Sequence, residues 1–380
     1  MFIFIDAFGW EILKQHPKFL KGIAKDKKPL ESILGYSNAC DPSIISGLLP
    51  SEHGHWSSFY YSPKTSPFKI LKYLKFLPKK ITNYQRVRNK LSQLIASYYR
   101  FTGYFQIYQA PFDVLPLFDY AEKKWFWGTK GTLNAGKSIF DYLIEQKVPF
   151  YVKKSTSISD EKQWLEVQQK IKHKKIRYAY LFLGQLDAIM HAKGTKHEDV
   201  DRLLEEYDSK IRKLIDLAEK HYKEVAWYVF SDHGMHDIKR TFDLASYIKE
   251  LPIEFKKDYM AFYDSTMARF WFFDEVAREL VTEKLAALDN GKILSDKELK
   301  EFGVYFPDHR YGELVFLMKP HILIIPSFMG LKKIPGMHGY HPNDPDSLAA
   351  ILSNQKLPKE LTRIEQIFSR MVEEVGLKLG

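Results

Sequence analysis

Phe2-Ile3-Phe4-Ile5-Asp6 opens the chain with four apolar residues and a carboxylate. An apolar run of this length, uninterrupted by polar residues, predicts a strand that is buried on both faces of a sheet. Two later stretches repeat the arrangement: Tyr178–Leu183 leads to Asp187, and residues 225–230 lead to Asp232. Parallel strands end at the same edge of an open sheet, where ligands bind, so we expect the three carboxylates to share one crevice.

The spacing of apolar residues predicts a helix between the second and third of these strands. They recur at steps of three and four, with charged residues between them, as in an amphipathic helix: Val200, Leu203, Leu204, Tyr207, Ile211, Leu214 and Ala218. A helical crossover between two strands predicts that the sheet is parallel. Further helices are expected near residues 140–145 and 361–377. The predicted fold class is α/β, with a three-layer α/β/α core.

Two stretches depart from this alternation and are interpreted as insertions. Residues 62–127 are basic, aromatic and mostly helical in pattern, which predicts a helical cap over the crevice. Residues 237–335 combine strand-like segments at 268–273 and 314–317 with a helical segment at 275–288, which predicts a small α+β subdomain. The core then consists of residues 1–61, 128–236 and 336–380.

Positive charge is concentrated in the first insertion. The formal net charge is +10, and residues 61–112 contain ten Lys or Arg and no Asp or Glu. This excess favours an anionic partner, either a substrate or an acidic membrane surface reached through residues 62–127. A solvated helical face is the alternative interpretation. No recognised nucleic-acid-binding motif accompanies the charge, so nucleic acid is not the expected partner.

The sequence leads us to expect a cytoplasmic protein, peripheral at the membrane if the basic insertion binds one. Cys40 is the single cysteine, which excludes an intramolecular disulfide. The run Phe2–Ile5 is too short for the apolar region of a signal peptide. Charged residues interrupt each apolar stretch before it reaches the length of a spanning helix.

Five separated patterns contain residues suited to chemistry. They are Asp6, Ser37 through His53-Gly54, Asp187 with His191, Asp232-His233, and His338-Gly339. Asp187 and His191 are four residues apart, which places both on one side of a helical turn. Carboxylates and imidazoles in this ratio suit two divalent metal ions, most simply Zn²⁺, with Mn²⁺ as the alternative.

At these residues the sequence resembles the type I phosphodiesterase and nucleotide pyrophosphatase branch of the alkaline phosphatase superfamily. The resemblance covers residues 1–60 and most of 175–345, with all five patterns in the expected order. It implies an alkaline phosphatase-like sandwich that binds two metal ions. One ion would be held by Asp187, His191 and His338, and the other by Asp6, Asp232 and His233.

The resemblance also implies a nucleophile ten residues before the glycine of a Gly-x-x-Pro-x-x-His-Gly segment. Gly47 occupies that position, so Ser37 is the predicted nucleophile. Asn38 and Ser58, which stands where some relatives have a phosphate-binding Asn, are the predicted substrate-binding residues. Cys40-Asp41-Pro42-Ser43 resembles the sulfatase pattern, but Cys40 lies only seven residues before Gly47. A sulfatase is therefore disfavoured.

The reaction expected from these residues is hydrolysis of a phosphodiester or pyrophosphate bond in an anionic phosphate-ester substrate. A serine hydroxyl is a poor nucleophile at neutral pH, and coordination to a metal ion supplies the needed activation. The alternatives are a phosphomonoesterase or a phosphoryl-transfer enzyme of the same superfamily. A membrane-surface binding protein with an inactive site is the alternative from another class.

Two expectations concern residues beside the patterns. His55, His236 and His341 are expected to be surface histidines, with a contact to substrate as the alternative. Pro42 follows Ser37 by five residues, so we expect the helix after Ser37 to begin late enough to place Pro42 in its first turn.

Overall fold

A central six-stranded sheet organises the protein, for which a computed structural model describes residues 1–154 and 158–379. Its strands lie in the order Asp26–Leu30, Ala349–Ser353, Tyr228–Phe230, Phe2–Ile5, Tyr178–Leu183 and Phe150–Val152. The predicted strands at Phe2–Ile5 and Tyr178–Leu183 are confirmed, and they pair in parallel with each other. The third predicted strand is shorter than expected and spans Tyr228–Phe230.

The sheet is mixed, whereas the sequence predicted a parallel one. Ala349–Ser353 runs antiparallel to both of its neighbours. The chain enters this strand through the short 3-10 helix Pro345–Ser347, after His338 has already brought it to the carboxyl edge of the sheet. Without a helical crossover to carry the chain back, the strand starts at the edge where its neighbour Tyr228–Phe230 ends, and therefore runs the opposite way.

Helices cover both faces of the sheet, so the predicted three-layer α/β/α sandwich is confirmed. Phe2 and Phe4 pack against one helical layer and Ile3 and Ile5 against the other, as alternation along a strand requires. The first layer contains Ser37–Ser46, Ile139–Glu145 and Ile367–Val375. The second contains Trp10–Gln15, Asp160–Lys172, Gln185–Lys193 and Glu198–His221.

The predicted crossover helix is confirmed as Glu198–His221. All seven apolar residues that predicted it are buried against the sheet, and its first turn carries acidic residues that suit the positive end of the helix dipole. Within the described part of the chain, no helix is both long and apolar enough to cross a bilayer.

The segment 237–335 forms a second, antiparallel sheet with its own helices. The sheet order is Tyr259–Tyr263, Met267–Phe272, Leu314–Met318 and Gly291–Leu294. The helices are Leu244–Lys249, Glu275–Ala286 and Asp296–Glu301. Two small sheets accompany it: Arg240–Phe242 pairs in parallel with Ile322–Ile324 inside the segment, and His236–Asp237 pairs with Gly336–Met337 where the segment joins the core.

The segment 62–127 contains the strand Phe118–Tyr120, which pairs antiparallel with Phe59–Tyr61, the strand directly before the segment. Its helices are the 3-10 turns Lys69–Leu74 and Leu115–Leu117 and the α-helices Lys79–Thr82 and Gln85–Tyr99. Phe68, Ile95 and Phe105 of this segment share an apolar core with Phe262 and Trp271 of the second sheet. The two insertions therefore pack on each other, while their exact boundaries remain a prediction.

Pro42 lies inside the helix Ser37–Ser46, so the expectation of a late helix start was wrong. Proline lacks the N–H that would donate to the carbonyl of Asn38, which costs the helix one hydrogen bond. Burial of the helix offsets the cost of this lost hydrogen bond, because every residue from Ala39 to Ser46 is buried against the sheet and the helices beside it. A short helix, Pro50–His53, follows it, and the 3-10 turn Ile364–Gln366 leads into the last helix.

A buried arginine ties the second sheet to the core. The Arg269 guanidinium donates to Asp264 Oδ2 at 2.8 Å and to the carbonyl of Phe59 at 2.8 Å. It also donates to Ser57 Oγ at 3.0 Å and to the carbonyl of Tyr311 at 3.4 Å. The side chain is fully buried, so each of these bonds replaces a lost contact with water.

We predict that Arg269→Met lowers the free energy of unfolding by about 3 kcal/mol or more, because it leaves the Asp264 carboxylate buried without its partner. Arg269→Lys should not restore stability, since an ammonium cannot reproduce the planar fork. Urea unfolding followed by circular dichroism measures both variants. The control is Arg278→Met at the partly exposed pair with Glu313, where a loss of about 1 kcal/mol or less is expected because solvent screens the pair. Equal losses at the two arginines would contradict the assignment.

Candidate active site

The structure brings the three strand-end carboxylates together at the carboxyl edge of the sheet. Asp6 directly follows the strand Phe2–Ile5, and its backbone N–H donates to the carbonyl of Leu183. Asp232 accepts a hydrogen bond at Oδ1 from the backbone N–H of Ala7 at 3.2 Å. Asp187 lies in the first turn of the helix Gln185–Lys193. The crevice expected from the sequence therefore exists, and all three side chains face it.

The first predicted ligand group is assembled by one helix and one returning segment. Nε2 of His191 lies 3.2 Å from Asp187 Oδ1, and Nε2 of His338 lies 3.7 Å from the same oxygen. Nδ1 of His191 donates to the carbonyl of Gly336 at 2.9 Å. The proton is thereby held on Nδ1, which leaves the Nε2 lone pair directed at the carboxylate.

The second predicted ligand group lies beside the first. Nε2 of His233 is 2.9 Å from Asp232 Oδ2 and 3.7 Å from Asp6 Oδ1. Nδ1 of His233 donates to the carbonyl of Gly234 at 2.9 Å, so here too Nε2 carries the free lone pair. The imidazoles of His233 and His338 stack with ring centroids 3.7 Å apart, which sets the two groups side by side.

The residues of both groups fit divalent metal ions. In each group, one ligand atom per residue lies within 4.8 Å of the other two. Asp6 Oδ1, Asp187 Oδ1 and Asp232 Oδ2 are buried without a hydrogen-bond partner. Among the described ion pairs, these carboxylates have only histidine partners and no Lys or Arg. Buried and unpaired carboxylate oxygens are costly, and a bound cation removes that cost.

Burial and mutual repulsion shift the pKa values of Asp6 and His338. Burial, followed by the negative charges of Asp232 and Asp187, raises the pKa of Asp6 well above its ordinary value. Burial, followed by the neighbouring imidazoles of His233 and His191, lowers the pKa of His338 well below its ordinary value. A neutral imidazole is the form that binds a metal ion.

Ser37 is the first residue of its helix and lies at the edge of the second group. Its Oγ is 3.1 Å from Nε2 of His233. The amide of the adjacent Asn38 donates to Ser58 Oγ at 3.4 Å, while Asn38 Oδ1 is buried without a partner. The three predicted catalytic and substrate-binding residues therefore lie along one wall of the crevice, and all are half-buried.

Two buried carboxylates near this wall were missed by the sequence interpretation. Asp41 lies one helical turn after Ser37, and burial, followed by the charges of Asp232 and Glu122, raises its pKa. Burial raises the pKa of Glu122 to about 8, and its Oε1 accepts from the backbone N–H of Tyr104 at 2.8 Å. Asp41 follows Ser37 by four residues, a spacing that places both on one face of a helix and could have identified Asp41 from the sequence. No local sequence pattern indicates Glu122.

The expectation of surface histidines was wrong for two of the three. His55 and His236 are buried, and His341 is half-buried. Nε2 of His55 accepts from the backbone N–H of Asn134 at 3.1 Å, and its ring packs edge-on against Phe126. His236 packs against Tyr340. Their apolar neighbours are distant in sequence, which explains why the short motifs gave no sign of burial.

We predict that Asp6→Asn raises the midpoint of thermal unfolding in EDTA by a few degrees, because it removes a buried charge that is repelled by Asp187 and Asp232. With Zn²⁺ present, the same variant should gain less stability than the parent, since one ligand has been lost. Thermal denaturation with EDTA and with Zn²⁺ measures both effects. The exposed residue Asp296 provides the control Asp296→Asn. A lower midpoint in EDTA together with an undiminished gain from Zn²⁺ would argue against the assignment.

The architecture matches that of solved nucleotide pyrophosphatases. Murine ectonucleotide pyrophosphatase/phosphodiesterase 5 superposes with a TM-score of 0.69 at 15% identity, covering 99% of this chain and 95% of that one. The human protein gives 0.69 at 14% identity, covering 100% and 95%. An inactive variant of the murine protein, in complex with AMP, gives 0.68 at 15% identity, covering 99% and 94%. The predicted alkaline phosphatase-like fold is thereby confirmed.

Family membership rests on the sequence itself. Among curated protein sequences, none matches this chain significantly. The profile of the family described as "Type I phosphodiesterase / nucleotide pyrophosphatase" matches residues 1–341, which is most of the chain. Members of this family are hydrolases that depend on divalent metal ions. The chain therefore belongs to the type I phosphodiesterase/nucleotide pyrophosphatase family, as its sequence motifs predicted.

Proposed function

We propose that this protein hydrolyses a phosphodiester or pyrophosphate bond through nucleophilic attack by Ser37, assisted by two divalent metal ions. The observation that carries the proposal is the 3.1 Å separation of Ser37 Oγ and His233 Nε2. This contact puts the hydroxyl against one ligand group, and the stacked His233 and His338 rings set the second group beside it.

The side chains of the crevice have complementary tasks in this reaction. When bound, the metal ions would lower the pKa of a coordinated hydroxyl and offset negative charge on the phosphoryl group. Ser37 supplies that hydroxyl from the start of a ten-residue helix, where the dipole favours an anion. The Asn38 amide, which donates to Ser58 Oγ, would donate to a phosphoryl oxygen of the bound substrate.

A nucleotide phosphate ester is the proposed class of substrate. The family is that of nucleotide pyrophosphatases, and a neighbour with the same fold has been solved with AMP. A diester is preferred to a monoester on the ground of family membership. Zn²⁺ is the proposed metal, with Mn²⁺ as the alternative, because each group combines carboxylate oxygens with imidazole nitrogen.

We predict that Ser37→Ala lowers kcat for bis(p-nitrophenyl) phosphate by roughly a thousandfold or more, because the nucleophile is lost. The metal content should stay unchanged, since Ser37 belongs to neither ligand group. Ser51→Ala, at an exposed serine near the same helix, is the matched control and should retain full activity. Full activity of Ser37→Ala would reject the nucleophile assignment.

The same assay separates the alternative functions. Faster turnover of p-nitrophenyl phosphate than of the diester would favour a phosphomonoesterase or phosphoryl-transfer enzyme. No turnover of either substrate by metal-loaded protein would favour a binding protein with an inactive site.

We also propose that segment 62–127 docks on an anionic bilayer. Of the fifteen large hydrophobic side chains that are exposed in the described part of the chain, ten lie between Ile70 and Tyr104, including Phe76 at 83% exposure. The surrounding stretch 61–112 has ten basic residues and no acidic one. Interleaved basic and apolar side chains on short helices are typical of surfaces that bind at a membrane interface.

We predict that Lys72→Glu/Lys75→Glu/Lys80→Glu weakens binding to phosphatidylserine-containing vesicles at least about tenfold, because each Lys near an anionic surface contributes about 1 kcal/mol. Vesicle sedimentation measures the effect. The triple variant Lys170→Glu/Lys297→Glu/Lys359→Glu changes the net charge equally at exposed sites elsewhere and serves as the control. Equal losses in the two variants would mean that net charge, and not this surface, governs binding.

A further inference from the structure

A third cluster of potential metal ligands lies outside the candidate active site. His236, His321 and Asp346 each offer one ligand atom, and these atoms lie within 4.8 Å of one another. The three residues are far apart in sequence. His236 begins the short strand His236–Asp237, His321 precedes the strand Ile322–Ile324, and Asp346 lies in the 3-10 turn before the last strand of the central sheet.

The hydrogen bonds of the two imidazoles leave one nitrogen of each ring available to a cation. Nε2 of His236 lies 3.0 Å from Ser347 Oγ, whereas its Nδ1 is buried without a hydrogen-bond partner and lies 3.9 Å from Asp346 Oδ2. Nδ1 of His321 donates to the carbonyl of Asp237 at 2.9 Å, which leaves its Nε2 lone pair free. Partners on the second ring nitrogen orient metal-binding histidines in this way.

The charge around the cluster is also unbalanced. Asp344 and Asp346 flank His236, and neither forms an ion pair with a Lys or Arg within the described chain. Burial, together with the nearby His321 and His233, lowers the pKa of His236 to about 3. A neutral imidazole does not offset the charge of the two carboxylates, and it is the form that coordinates a metal ion.

We propose that His236, His321 and Asp346 bind a third divalent cation, distinct from the proposed pair at the active site. Two imidazole nitrogens and one carboxylate oxygen are a donor set suited to Zn²⁺, and water completes a fourth position because the Asp346 side chain is 39% exposed.

The position of the cluster gives this cation a structural role. His236–Asp237 pairs with Gly336–Met337, the residues directly before His338. The backbone N–H of Gly234 donates to the carbonyl of Ser347 at 3.1 Å, next to Asp346. A cation bound here links the segments that carry His233 and His338 to each other. It also links them to the turn of segment 237–335 that carries His321.

The number of zinc ions bound per chain tests the proposal. Protein dialysed to equilibrium against buffered Zn²⁺ is analysed by inductively coupled plasma mass spectrometry. Three ions per chain are expected for the parent, and two for His321→Asn and for Asp346→Asn. These residues are half-buried, so the variants are expected to fold, which circular dichroism verifies. His309→Asn, at an exposed histidine, is the matched control and should keep three ions.

An unchanged zinc count in either His321→Asn or Asp346→Asn would overturn the proposal. The result is independent of the proposed catalytic function. If the active site bound fewer ions than proposed, the count of the parent would fall, but each of the two variants would still lose one ion relative to that parent. A smaller zinc-induced rise in thermal stability in both variants, with an unchanged rise in the control, is expected to accompany the lower count.

Discussion

The repulsion among three carboxylates, two of them buried and one half-buried, is the constraint on which the site depends. Asp6, Asp187 and Asp232 meet at one edge of the central sheet, and within the described chain no Lys or Arg pairs with them. Their neighbours are imidazoles whose second nitrogen is held by backbone carbonyls, as seen at His191 and His233. The arrangement is costly for the isolated chain and favourable once cations are bound, which suits a metal-dependent hydrolase.

Close contacts between backbones hold these side chains in place. Gly234 follows His233, and a Cβ at this glycine would lie 2.2 Å from the carbonyl oxygen of Asp346. A Cβ at Gly336, two residues before His338, would lie 2.4 Å from the carbonyl oxygen of Met190. Only glycine allows these approaches. These close backbone contacts thus help to position the segments that carry the ligands.

The sequence predicted those features that depend on local periodicity. The apolar spacing of Phe2–Ile5 is typical of a buried strand, and that of Glu198–His221 is typical of an amphipathic helix. Both elements, and the edge of the sheet at which the strand ends, could therefore be predicted. The reversed strand Ala349–Ser353 could not, because strand direction depends on where the chain enters the sheet. Likewise, tertiary packing brings Glu122 near the wall of the crevice and His321 into the cluster with His236 and Asp346. The residues next to them in sequence do not indicate these positions.

The central position of Phe2–Ile5 has a consequence for how the chain acquires its structure during synthesis. This strand precedes both of its partners along the chain, and it is hydrogen-bonded on one side to Tyr178–Leu183 and on the other to Tyr228–Phe230. Ala349–Ser353 then fills the gap between Tyr228–Phe230 and Asp26–Leu30. Pairings between such distant segments form slowly. Phe2–Ile5 is therefore synthesised well before either of its partner strands, and the sheet is complete only once Ala349–Ser353 is available to pair.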